Sequence, residues 1–118
     1  MKNAILIVDD SRLNRETLAD ILKDKYNIIE AEDGRSGLEV LEKRKDDIVL
    51  VILDIVMPEM DGFQVLAVMN KRRWIEEIPV IVISAEMSSA YIDHAYDLGV
   101  TDFISRPFDG SIVRRRAL

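Results

Sequence analysis

ILIVDDS, residues Ile5 to Ser11, sets four apolar side chains directly before two adjacent carboxylates and a serine. Apolar residues that run on without polar alternation suit a strand covered on both faces, as in a parallel sheet. A strand of that kind delivers Asp9 and Asp10 to the carboxyl edge of its sheet. Open α/β sheets bind ligands just outside that edge.

The same pattern repeats along the chain. Further β-rich apolar runs are expected at Asn27–Ala31, Val49–Leu53, Val80–Ile83 and Phe103–Ser105, after a first strand at Ala4–Val8. Between them lie amphipathic stretches with helical spacing. SRLNRETLADILKD (Ser11–Asp24) carries Leu18, Ile21 and Leu22 on one stripe, with Ser11 placed to cap its start. GRSGLEVLEKRK carries Leu38 and Leu41, and GFQVLAVMNKRR carries Val65, Leu66 and Met69. SSAYIDHAYDLG stops on Gly99, and DGSIVRRRAL opens a fifth helix. The pattern is (βα)5, and right-handed crossovers place helices on both faces of the sheet. The fifth helix reads as short, so the 118 residues are expected to be a single domain followed by an output domain in a longer protein.

Composition removes several classes of function. The chain is 48% hydrophobic and 32% charged, a globular balance, and it has no cysteine. Disulfides, thiolate metal sites and a cysteine nucleophile are excluded, and a reducing, cytoplasmic setting is expected. The longest apolar run, IVLVIL (Ile48–Leu53), is far too short to span a bilayer, and no signal peptide is read at the N-terminus. A formal net charge of -6 argues against a nucleic-acid surface. No G-x-G-x-x-G follows the first strand, so a dinucleotide site is a poor fit.

Polar residues gather where the strands end. The first strand ends in Asp9 and Asp10, the third in Asp54, the fourth in Ser84, and the fifth runs into Ser105 and Arg106. Each has an ordinary structural use: paired acids and serines cap helices, and an aspartate before a turn is common. Together at one sheet edge they favour chemistry. Three carboxylates in one pocket raise at least one pKa unless a cation relieves them. Oxygen-only ligation suits Mg²⁺. Asp54 could accept a phosphoryl group as an aspartyl phosphate. The metal, the Ser84 hydroxyl and the Arg106 cation would then each take one phosphoryl oxygen.

At these positions LIVDDS, LDIVMPEMDG, VISAE and FISRPF resemble, in order, the four signatures of the receiver domain of two-component response regulators, from Ala4 to about Val113. The resemblance implies a flavodoxin-like doubly wound sheet of strand order 2-1-3-4-5. It implies that Asp54 is the phosphoacceptor, charged by the phosphohistidine of a sensor histidine kinase or a phosphotransfer protein. Asp10, Asp54 and the backbone carbonyl of Val56 would be direct Mg²⁺ ligands, with Asp9 acting mostly through water. Ser84 would follow the phosphoryl group, and Phe103 would be the switch aromatic, able to pack but not to hydrogen-bond. Met57-Pro58 and Gly62 would shape the loop after the third strand, and the bond before Pro107 would be cis.

One departure stands out. The family keeps a lysine before that proline, and here the residue is Arg106, a longer planar fork in place of a compact ammonium. Arginine can grip phosphate through two parallel hydrogen bonds, so phosphorylation competence is expected, with the Arg106 effect left open. Self-phosphorylation and self-dephosphorylation are the only catalysis implied. The alternative is a pseudo-receiver, a phosphorylation-independent interaction or dimerisation module. A haloacid-dehalogenase-type phosphatase would need an Asp two residues after the nucleophile, where Val56 stands.

The fourth helix carries two stripes. Tyr91, Ala95 and Leu98 should face the sheet, whereas Ile92 and Tyr96 fall elsewhere. In the family the fourth helix, fifth strand and fifth helix form the signalling face. A partner or homodimer patch is therefore expected around Met87, Ile92, Tyr96, Val100 and Phe103. His94 is expected to be solvated, Trp74 to serve packing, and Arg114–Arg116 to be exposed.

Overall fold

In β1 (Ala4–Val8) every residue is buried, and alternate side chains enter different cores. Ala4, Leu6 and Val8 join a cluster with Leu41, Val65, Leu66, Met69 and Ala95, while Ile5 and Ile7 join one with Leu18, Leu22 and Val113. A strand with two dry faces has no position for a polar residue, which is why ILIV is continuous. Each fully buried Leu or Ile contributes about 1.5–3 kcal/mol by leaving water.

The computed structural model describes residues 3–85, 88–106 and 110–117. After β1 come α1 (Arg12–Leu22), β2 (Asn27–Ala31), α2 (Gly34–Arg44), β3 (Ile48–Leu53), α3 (Gly62–Lys71), β4 (Val80–Ser84), α4 (Ser89–Asp97), β5 (Asp102–Ser105) and α5 (Gly110–Ala117). All strand pairs are parallel and the sheet order is β2-β1-β3-β4-β5, the flavodoxin-like order expected from the sequence. β3 and β5 each begin one residue earlier than the apolar runs indicate, and β4 takes in Ser84. Helices α1 and α5 supply Leu18, Leu22 and Val113 to one face of the sheet, and α2, α3 and α4 cover the other.

The helix starts lie against the carboxyl edge, each of the first four with its own cap. Ser11 Oγ accepts from the Asn14 N–H, and Ser88 Oγ from the Tyr91 N–H. Asp33 caps α2, and hydrogen bonds from Ser36 hold its carboxyl below the usual range. At α3, Asp61 and Gln64 form a reciprocal capping box. These caps fix where each of the four helices begins.

The expected surfaces divide. Trp74 is buried in a 3-10 turn (Trp74–Glu76) with the Arg72 guanidinium 5.3 Å from its ring centre, a packing role. His94 is exposed, its ring in a T-shaped pair with Phe63 at 4.4 Å between centres. Arg114 to Arg116 are exposed, with Arg116 paired to Asp102. On α4, Ala95 is buried and Tyr91 and Leu98 pack on the same core, as the spacing predicts. Ile92 is half-buried, and the exposed Tyr96 donates its hydroxyl to Asp102 Oδ1 at 3.4 Å. Val100, expected on the surface patch, is buried instead. Gly99 takes φ +95° and turns the chain inward, where the Thr101 N–H bonds the Val80 carbonyl and Val100 enters the α2/α3/α4 core. Met87, also placed on that patch, and Pro107 lie outside the described residues.

Candidate functional site

Register brings the acids together. Val8 pairs with Leu53, so Asp9 and Asp54 are the next residues on adjacent strands, and the Asp54 N–H donates to the Val8 carbonyl at 3.0 Å. The Asp9 N–H is bound in turn by the Ala31 carbonyl. Both carboxylates are buried, Asp9 at 1% exposure and Asp54 at 6%, while Asp10 stands exposed on the loop. One carboxylate oxygen from each of the three lies within 4.8 Å of the others. Hard oxygen donors at that spacing suit an oxygen-loving divalent cation.

Each buried acid is held by named groups. Asp9 Oδ1 accepts from the Ser11 N–H at 2.9 Å, and its Oδ2 accepts from Arg106 Nη2. Asp54 Oδ1 accepts from the Val56 N–H at 3.4 Å, and its Oδ2 lies 3.6 Å from Arg106 Nη1. Burial, reinforced by the neighbouring charge of Asp9, pushes the Asp54 carboxyl up to about 6, against the opposing pull of Arg106 and the Val56 N–H. A shift set first by burial and then by a neighbouring acid is of the kind found at functional carboxylates.

Arg106 leaves β5 with its N–H on the Ser84 carbonyl at 3.0 Å, which fixes where its side chain starts. Ser84 is fully buried. By strand alternation Ser84 lies on the same sheet face as Val80 and Val82, and Phe103 packs on that α2/α3/α4 core too. The hydroxyl and the aromatic expected to be coupled therefore share a face, on neighbouring strands.

The loop after β3 closes tightly over Asp54. The Gly62 N–H returns to the Ile55 carbonyl at 2.8 Å, and a Cβ at Gly62 would sit 2.5 Å from the Asp54 carbonyl oxygen. Only glycine permits that approach. Met57 is buried beneath the loop, whereas Val56 is turned out at 58% exposure.

Two features went unread in the sequence. Arg15 on α1 donates Nη1 to the Asp9 carbonyl at 2.7 Å and Nε to Glu30 of β2 at 3.1 Å, clamping the turn that presents the acids. Its spacing from Asp9 is visible, but nothing local tells a clamp from a solvated helix arginine. Leu13, on the first turn of α1, leaves an apolar side chain 73% exposed. An isolated apolar residue beside a capping serine carries no signal of that kind.

Residues 5–117 match the response regulator receiver domain family. The chain is similar to response regulator RR06 of Streptococcus pneumoniae, 38% identical over 95% of this chain and 50% of that protein. It is 35% identical to a probable cyclic di-GMP phosphodiesterase of Vibrio cholerae, over 95% of this chain and 25% of that one. The chain thus spans half or less of the length of these two relatives. Among solved structures it resembles one in the CheX-CheY-BeF3-Mg2+ complex of Borrelia burgdorferi, with TM-score 0.88 and 33% identity over 97% of this chain and 85% of that chain. No helix among the described residues is long and apolar enough to cross a membrane. A match spanning nearly every residue, on the strand order and the acid cluster described above, means that this chain belongs to the response regulator receiver domain family.

Proposed function

We propose that the domain is a phosphoacceptor switch in which Asp54 takes a phosphoryl group from the phosphohistidine of a partner kinase or phosphotransfer protein. An Asp54 carboxylate oxygen forms the bond to phosphorus as the P–N bond breaks, and the imidazole leaves with a proton. The observation that carries this reading is the pair of buried carboxylates, Asp9 and Asp54, beside the exposed Asp10 and within reach of one guanidinium. Asp10, Asp54 and the Val56 carbonyl would hold Mg²⁺ directly, with Asp9 behind them. The ion would supply charge neutralisation for the transferring oxygens. The Ser84 hydroxyl would then donate to one phosphoryl oxygen, and Arg106 would grip another.

The response would leave through the packing of Phe103 against the α2/α3/α4 core, since phenylalanine has no hydroxyl to hand on. Its destination would be the α4/β5/α5 face, where Ile92 and Tyr96 offer a contact for a second copy or for an output domain of a longer chain. The length of the relatives supports the latter: the segment they share with this chain makes up half of one and a quarter of the other.

One observation favours a second reading. The Arg106 guanidinium already lies against Asp9 and Asp54, so the acid cluster has a resident counter-charge, as a phosphorylation-independent pseudo-receiver would. Intact mass after incubation with a small phosphodonor separates the two. A Mg²⁺-dependent phosphoryl adduct that disappears in Asp54→Ala is the outcome for a switch. No adduct on the wild type or on Arg106→Lys, with no Mg²⁺ uptake, is the outcome for a pseudo-receiver.

A further inference from the structure

Arg106 is two-handed. Its Nη2 bonds Asp9 Oδ2 and its Nη1 lies 3.6 Å from Asp54 Oδ2, so one planar fork spans both buried carboxylates. Its side chain is only 16% exposed. A lysine ammonium is a compact point charge, whereas the five donors of a guanidinium fan out in a plane and can serve two acceptors at once. The grip is incomplete, because the buried Nε has no hydrogen-bond partner among the described residues. A buried donor without a partner carries a desolvation cost. The position of the fork is therefore held by charge rather than by full hydrogen bonding.

The acids Arg106 grips belong to the cluster that would hold the divalent cation. Asp9 spends Oδ1 on the Ser11 N–H, leaving Oδ2 as its remaining oxygen, and that is the one Arg106 takes. Asp54 spends Oδ1 on the Val56 N–H, and its Oδ2 faces Nη1. Asp10 stands exposed, outside the pair of acids that the fork spans.

We propose that Arg106 is a built-in competitor for the divalent-cation site: its guanidinium occupies Asp9 and Asp54 in the metal-free protein and must give up this grip when the metal binds. This rests on the reading of the acid cluster as a metal-assisted phosphoacceptor site. The consequence is an ordered exchange. Metal entry frees the fork, and the freed fork is then available to a phosphoryl group on Asp54, which offers more oxygens than the carboxylates did. The arginine in place of the family lysine thus sets a lower cation affinity and ties phosphoryl recognition to cation occupancy. Linkage makes the effect reciprocal, and couplings between sites commonly amount to about 5–150-fold.

Calorimetric titration of Mn²⁺ and Mg²⁺ into the metal-free chain tests this, at constant pH and ionic strength, on wild type, Arg106→Met, Arg106→Lys and Asp10→Asn. Arg106→Met is expected to bind about tenfold more tightly than wild type. Arg106→Lys, which keeps the charge and guards against a folding failure, should fall between them. The cation-induced rise in melting temperature should be larger in both variants. Equal or weaker binding by both arginine variants, while Asp10→Asn loses binding, overturns the competition and leaves the metal site standing. Absence of binding in all four proteins removes the metal site and the competition with it.

Discussion

Asp54→Asn should stabilise the metal-free protein at neutral pH and do much less at low pH. Asp54 is 6% exposed, and burial together with the charge of Asp9 raises its carboxyl from 3.8 to about 6. In the unfolded chain the carboxyl has its ordinary value. A folded-state value above the unfolded one means a stabilising contribution that is complete below about pH 3.8 and is lost as the pH climbs through about 6. At pH 7.5 the folded protein therefore carries the whole cost of an ionised buried acid. The displacement from 3.8 to about 6 corresponds to about 3 kcal/mol, already net of the attraction to Arg106. Asparagine keeps the shape and an acceptor for the Val56 N–H but carries no charge. Urea unfolding in the presence of a chelator, at pH 7.5 and pH 4.5, measures the difference between the Asp54→Asn and wild-type chains. The expected gain is up to about 3 kcal/mol at pH 7.5 and well under half of that at pH 4.5. Saturating Mg²⁺ should shrink the gap by stabilising the wild type alone. An equal difference at both pH values, or a destabilised Asp54→Asn, would refute the view that Asp54 is held ionised against its surroundings.

Three further outcomes follow from local geometry. Gly62→Ala places a methyl 2.5 Å from the Asp54 carbonyl oxygen, so it should cost about 1–3 kcal/mol in denaturant unfolding and reduce phosphoryl adduct formation as the loop shifts. Asn70 donates Nδ2 to the Leu98 carbonyl at 2.7 Å and to the Leu66 carbonyl at 2.9 Å, tying the end of α4 to α3. Asn70→Ala should therefore lose about 1 kcal/mol, with faster amide exchange confined to α4. Replacing Ile92 and Tyr96 together by Ser should leave thermal stability within about 1 kcal/mol but lower self-association in sedimentation. Unchanged sedimentation of the phosphorylated protein would exclude a second copy as the partner of the α4 patch.

The fold was legible because its signal is periodic. Continuous apolar runs at β1, β3 and β4 report two dry faces, and the runs end where the chain meets water. Asp9, Asp54 and Ser84 were legible for the related reason that a polar residue closing such a run has few places to go but the sheet edge. Val100 was misread because its burial depends on Gly99. A residue after a helix of mixed stripes looks like surface until the positive φ of that glycine turns it inward. The role of Arg15 was invisible because its partners, the Asp9 carbonyl and Glu30, come from two strands, and nothing local tells such a clamp from a solvated helix arginine.

Arg106 shows where sequence and geometry each stop. The sequence displays the arginine as a departure from lysine and leaves open whether it detunes the site or merely replaces a charge. The structure adds that one fork reaches two acids, which lysine could not do with equal reach. Substituting a larger cation does not simply preserve charge. On the proposal above, it sets the charge against Asp9 and Asp54, where it would oppose the ion that the cluster would otherwise hold. Retention of all three acids beside that arginine is then consistent with a site whose readiness is set by how strongly Asp9 and Asp54 are already occupied.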